Sequence, residues 1–142
     1  MDVNFRLLPI NGEIVIVEDE PLLRELTREI LSEVGAECVA FSTADDALIH
    51  MLTSDTRCAL IIADHGLPGQ VQGAELAELA RGRWPETPVI ITSGWTDTFI
   101  GLPPAAHFLA KPWSLEELVM AVANLLQPGV PPTETSVDTP RQ

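Results

Sequence analysis

Apolar residues along this chain follow two periods. In some places they run together without polar interruption, as in Ile14-Val15-Ile16-Val17, Ala59-Leu60-Ile61-Ile62-Ala63 and Val89-Ile90-Ile91. Short runs of this kind, closed by turn residues, read as strands buried on both faces. Elsewhere the spacing is helical. From Pro21 to Val34 the apolar positions are Leu22, Leu23, Leu26, Ile30, Leu31 and Val34, and Gly35 stands where a helix C-cap belongs. Ser42-Thr43 caps a second helix carrying Ala47, Leu48, Met51 and Leu52. A third spans Ala74 to Arg83, with Leu76 and Leu79 expected inward, and Trp84-Pro85 closes it because the residue before a proline avoids helix. Ser114-Leu115-Glu116-Glu117 has the capping-box form, and the helix behind it runs to about Gln127 on the face Leu118, Val119, Val122, Leu125 and Leu126.

Two further strands, Glu37 to Phe41 and His107 to Ala110, complete five strands alternating with helices. That alternation predicts an α/β fold: a doubly wound parallel sheet with helices on both faces. Right-handed crossovers and the flavodoxin-like order 2-1-3-4-5 place the first and third strands side by side. Gly101, Pro103 and Pro104 interrupt the helical stretch between the fourth and fifth strands, so an irregular fourth helix is expected over 95–106. The domain spans 13–127, behind a leader at 1–12. A Pro/Thr-rich tail, 128–142, is expected to be disordered.

Composition narrows the function. The chain has 142 residues, a net charge of −13 and 46% hydrophobic residues. No basic stripe exists to neutralise phosphates, so direct nucleic-acid binding is not expected, and anionic membranes are disfavoured for the same reason. No apolar run reaches the roughly 20 residues of a membrane span, and the N-terminus lacks a signal-peptide pattern, so a cytoplasmic location is expected. Cys38 and Cys58 fall on the second and third strands, which do not touch in this order, and no disulfide is predicted. Lys111 is the one lysine among eight basic residues.

The strand ends carry the candidate chemistry. The first strand ends in Glu18-Asp19-Glu20, the third in Asp64, the fourth in Thr92-Ser93-Gly94 and the fifth in Lys111-Pro112. Taken singly, each has a plain explanation. Asp64 suits a turn, Glu20 suits the acidic start of a helix, Ser93 suits the turn before Gly94, and Lys111 suits solvent. Together they converge on the carboxyl edge of a parallel sheet, where open α/β folds bind ligands. Clustered carboxylates are what a hard divalent cation such as Mg2+ requires. A carboxylate, a masking cation, a lysine and a hydroxyl suit phosphoryl transfer to an aspartate.

Four motifs in order, Val17-Glu18-Asp19-Glu20, Ala63-Asp64 with Leu67-Pro68-Gly69, Ile91-Thr92-Ser93-Gly94 and Phe108-Leu109-Ala110-Lys111-Pro112, resemble the receiver domain of two-component response regulators over residues 13 to about 127. The resemblance implies that Asp64 is the phospho-acceptor and that a histidine kinase or phosphotransfer protein is the donor. It implies Mg2+ held directly by Asp19 and Asp64, through water by Glu18, and by the Gly66 backbone carbonyl. Ser93, five residues after Pro88, would be the switch hydroxyl in preference to Thr92. Lys111, before a cis proline, would pair with the phosphoryl group, and Phe108 would be the switch aromatic. The chemistry is expected to be limited to self-phosphorylation and self-dephosphorylation.

The sequence departs from the receiver pattern in two places. The loop from Asp64 to Gly73 is one residue longer than the commonest receiver spacing, with Gly69-Gln70-Val71-Gln72 filling it. The broken segment 95–106, with Trp95, Phe99 and Ile100, is a candidate output face. A stand-alone receiver is expected, signalling through an unknown downstream protein and with a possible homodimer. The alternatives are a phosphorylation-independent interaction module and an aspartyl phosphatase of the haloacid dehalogenase type. The latter carries a second aspartate two residues after the nucleophile, where this chain has Gly66.

Overall fold

A computed structural model describes residues 3–94 and 106–134. Two short strands, β1 (Phe5–Arg6) and β7 (Thr133–Glu134), lie outside the central sheet. Between them come β2 (Glu13–Val17), α1 (Pro21–Glu33), β3 (Cys38–Phe41), α2 (Ala44–Thr53), β4 (Cys58–Asp64), α3 (Gly73–Arg83), β5 (Val89–Gly94), β6 (His107–Lys111) and α4 (Leu115–Leu126). The sheet is parallel throughout, in the order β3-β2-β4-β5-β6. That is the expected 2-1-3-4-5, with β1 placed ahead of it.

Alternation along each strand divides the core into two layers. Ile14, Ile16, Leu60, Ile62 and Ile90 face α1 and α4, packing on Ile30, Leu31, Leu118 and Val122. Val15, Val17, Ile61, Ala63 and Ile91 face α2 and α3, packing on Ala47, Met51, Leu76 and Ala80. Each fully buried branched side chain contributes on the order of 1.5–3 kcal/mol. A two-sided apolar sheet of this kind holds its strand ends in fixed register. Val17 pairs with Ala63, so Glu18 leaves the sheet level with Asp64. Asp64 pairs with Thr92, Ser93 with Ala110, and Gly94 with Lys111.

Three expectations need correction. Leu79, expected inward, is 50% exposed, and Leu22, counted among the apolar positions of the first helix, is 81% exposed. The start of the tail is ordered, because Thr133–Glu134 pairs antiparallel with Phe5–Arg6. The leader is likewise part of the domain: Leu7 is buried in the α1–α4 core layer, and its N–H donates to the Val34 carbonyl at 3.0 Å. The irregular fourth helix, with Trp95, Phe99 and Ile100, falls outside the described residues, as do 135–142. Cys38 and Cys58 sit on β3 and β4 with β2 between them, both as free thiols.

Candidate functional site at the carboxyl edge of the sheet

The site begins where β2 stops. Glu18 follows the buried run Ile14 to Val17 and is itself only 5% exposed. Its N–H continues the sheet by donating to the Phe41 carbonyl at 3.0 Å. One carboxylate oxygen accepts from the Lys111 Nζ at 2.9 Å and the other from the Glu20 N–H at 3.0 Å. Glu20 itself turns away, capping α1 by accepting from the Leu22 and Leu23 N–H groups at 3.2 and 2.8 Å. Of the three consecutive acids, two therefore remain for the site.

From β4, Asp64 meets the same lysine, with Oδ1 3.1 Å from Lys111 Nζ. Glu18, Asp19 and Asp64 each offer a carboxylate oxygen within 4.8 Å of the others. Lys111 closes β6 and is followed by the one cis peptide bond among the described residues, to Pro112. Ser93 projects from the next strand, in register beside Ala110, and its Oγ is buried without a hydrogen-bond partner. Thr92 is buried among Ile16, Trp113 and Leu118, in the α1–α4 layer. Gly66 lies in open surroundings: a Cβ built on it would meet no atom within 4 Å. Phe108 stands upstream on β6, 46% exposed, and is not part of the cluster.

The family model for the response regulator receiver domain matches residues 14–123. The chain belongs to this family. Among curated relatives, the two-component response regulator PhoP of Pseudomonas aeruginosa is 32% identical over 119 residues, which make up 81% of this chain and 52% of that protein. The hydrogenase transcriptional regulatory protein HoxA of Cupriavidus necator is 29% identical over 119 residues, covering 80% of this chain and 24% of that protein. The chain thus spans between about a quarter and about half the length of these relatives. Among solved structures, the receiver domain of NtrX from Brucella abortus superposes with a TM-score of 0.73 at 28% identity, covering 81% of this chain and 98% of that one. A receiver domain protein from Clostridium thermocellum gives 0.71 at 22% identity, covering 81% and 94%.

The electrostatics of this receiver follow from the burial of its site. Desolvation pushes the Glu18 carboxyl above its ordinary value, against the lowering effect of the Glu20 N–H and Lys111. Burial likewise raises Asp64, opposed by Lys111 and reinforced by the negative charge of Asp19. Burial alone would lower Lys111. The hydrogen bonds and charges of Glu18 and Asp64 outweigh that and hold the ammonium above its ordinary range. One cation thus faces three carboxylates. The donor set fits Mg2+: three carboxylates with hard oxygen ligands within 4.8 Å of one another, Asp19 among them exposed to solvent.

Arg24 was not visible in the sequence pattern. Its guanidinium donates to the Glu18 carbonyl at 2.9 Å and approaches that of Asp19 at 3.5 Å, tying the turn that carries both acids to the first turns of α1. Spacing alone reads an arginine on a helix as solvated. Only the path of the preceding turn reveals what it binds.

Proposed function

We propose that this receiver accepts a phosphoryl group on Asp64 from the phosphohistidine of a histidine kinase or phosphotransfer protein. Mg2+ would be held by Asp19, Asp64 and the Gly66 carbonyl, with Glu18 acting through water. The observation that carries this reading is the Asp64 carboxylate, held 3.1 Å from the chain's only lysine inside a cluster of acids at the sheet edge. When bound, Mg2+ masks the negative charge that would otherwise repel an incoming phosphoryl group.

The protein's own groups account for the remaining steps. An Asp64 oxygen attacks phosphorus as the N–P bond breaks. The bonding pair stays on the imidazole nitrogen, and the new P–O bond makes an aspartyl phosphate. Lys111, already shared between Glu18 and Asp64, turns to a phosphoryl oxygen. Ser93 Oγ has no partner to give up, so its hydroxyl is available to donate to another. An apolar groove of about 450 Å³ beside Lys111, lined by Leu23, Leu26, Pro112 and Trp113, supports a protein donor, since it offers apolar contact next to the acceptor.

Incubation with acetyl phosphate and Mg2+ should add the mass of one phosphoryl group to the intact chain, and Asp64→Asn should add none. Equal labelling of the Asn variant would place the acceptor elsewhere.

A further inference from the structure

The loop that follows the acceptor is longer than the usual receiver loop, and the structure shows what holds it. Asp64 ends β4, and the His65 N–H still donates to the Thr92 carbonyl at 2.8 Å. Gly73 opens α3 directly against the Asp64 carbonyl, where any Cβ would collide, so both ends of the loop are pinned at one place. Between them Leu67 is buried in the α2–α3 layer, and its N–H donates to Gln72 Oε1 at 3.1 Å. The Gln72 N–H donates in turn to Glu75 Oε1 at 3.1 Å.

One anchor comes from outside the loop. Asp45, in the first turn of α2, accepts from the Val71 N–H at 3.3 Å. Gly69 passes so close that a Cβ there would lie 2.7 Å from the same carboxylate oxygen, and its φ of +92° is a conformation glycine takes without strain. The lengthened stretch is thus folded around the Asp45 side chain. Gly66 lies in the same loop, in the open: a Cβ built on it would meet no atom within 4 Å.

We infer that Asp45 is a positioning residue for the phosphoryl-accepting site. By holding the Val71 N–H it sets the course of loop 65–72, and through that the place of the Gly66 carbonyl beside Asp64. The inference rests on the Mg2+ and Asp64 reading above. Its chemistry is acceptance of one backbone hydrogen bond, so an amide oxygen serves as well as a carboxylate.

Asp45→Ala, Asp45→Asn and Val71→Pro in the full chain separate this from a merely structural effect. The first readout is amide exchange over 66–72 in metal-free protein. The second is Mg2+ affinity, from tryptophan fluorescence with Trp113 near Lys111 as a reporter. Asp45→Ala should lose protection at Val71 and weaken Mg2+ binding about tenfold, the scale seen when a group orienting a metal ligand is removed. Excess Mg2+ should then restore its rate of phosphorylation by acetyl phosphate. Asp45→Asn should stay within about twofold of wild type, as one retained hydrogen bond requires.

Unchanged Mg2+ affinity in Asp45→Ala, or equal damage in Asp45→Asn, would overturn the inference while leaving the acceptor reading intact. Should Asp45→Ala fail to fold, Val71→Pro decides, because it removes the same hydrogen bond from the donor side: weakened Mg2+ binding supports the inference and unchanged binding overturns it. A wild-type chain that takes neither Mg2+ nor a phosphoryl group overturns the reading beneath it as well.

Discussion

Cys38 and Cys58 lie on strands flanking β2, and burial pushes both thiols up from their ordinary 9.0, Cys38 to about 12 and Cys58 to about 11. An acid held above its ordinary value keeps its proton more tightly in the folded chain than in the unfolded one. Its contribution to stability is therefore complete below about pH 9 and is lost as pH rises towards 11 and 12. At pH 8 the Cys58 thiolate fraction should be about a hundredfold below that of a free thiol. Ellman's reagent should then label the native protein slowly and label both residues at once in urea. Rapid native labelling would show that these strands open readily. The polar groups at the sheet edge were more legible than these thiols. Glu18, Asp19, Asp64, Ser93 and Lys111 each interrupt or end an apolar run, and a polar residue there has few packing reasons to exist. Arg24 and Asp45 were not legible, because each acts on backbone atoms of a loop whose path no residue pattern reports.

At the scale of elements, the strands and helices follow their sequence signals closely. β-branched runs and caps such as Thr43 and Ser114 are local features that tertiary contacts do not override here. The inward faces were less certain. Helical spacing defines a stripe only to within a residue or so, which is why Leu79 was misplaced and Leu22 lies off the buried face. The β1–β7 pairing left no periodic trace, being two residues long on each side. Its support is instead hydrophobic and specific: Leu7 is buried in the α1–α4 core layer, and Gln127 accepts from the Leu8 N–H at 2.8 Å while donating to the Val130 carbonyl at 2.9 Å. Residues on both sides of the family match, 14–123, are thereby tied to each other. Leu7→Ala should cost about 2 kcal/mol, the low end for a buried leucine at the edge of a core. Gln127→Ala should cost about 1 kcal/mol for its lost hydrogen bonds. Urea denaturation measures both. Values near zero would mean that the leader adds nothing to the stability of the domain.

For the molecule as a whole, alternation and handedness point to a doubly wound parallel sheet, the flavodoxin-like order is one of the arrangements they admit, and that order brings Glu18 and Asp64 together. What it could not supply is the balance of charge. The chain carries −13 in total, and the site gathers three carboxylates around one ammonium. Two full charges at 4.8 Å repel by about 3 kcal/mol at an effective dielectric near 20. Lys111 offsets part of this for Glu18 and Asp64, and solvent screens much of the rest for exposed Asp19. After that screening a net repulsion of about 1 kcal/mol is left. Asp19→Asn should therefore stabilise the domain in EDTA, raising Tm by about 3–5 °C for a domain of this size. Mg2+ should raise the wild-type Tm by binding only the folded state, and should raise that of Asp19→Asn much less. Sodium chloride should also stabilise the wild type by screening, with no such dependence on Asp19. Calorimetry in EDTA, in NaCl and in MgCl2 at matched ionic strength separates these effects. If Asp19→Asn melts lower than wild type in EDTA, the carboxylates are not in conflict, and the cluster is held together by contacts other than a cation.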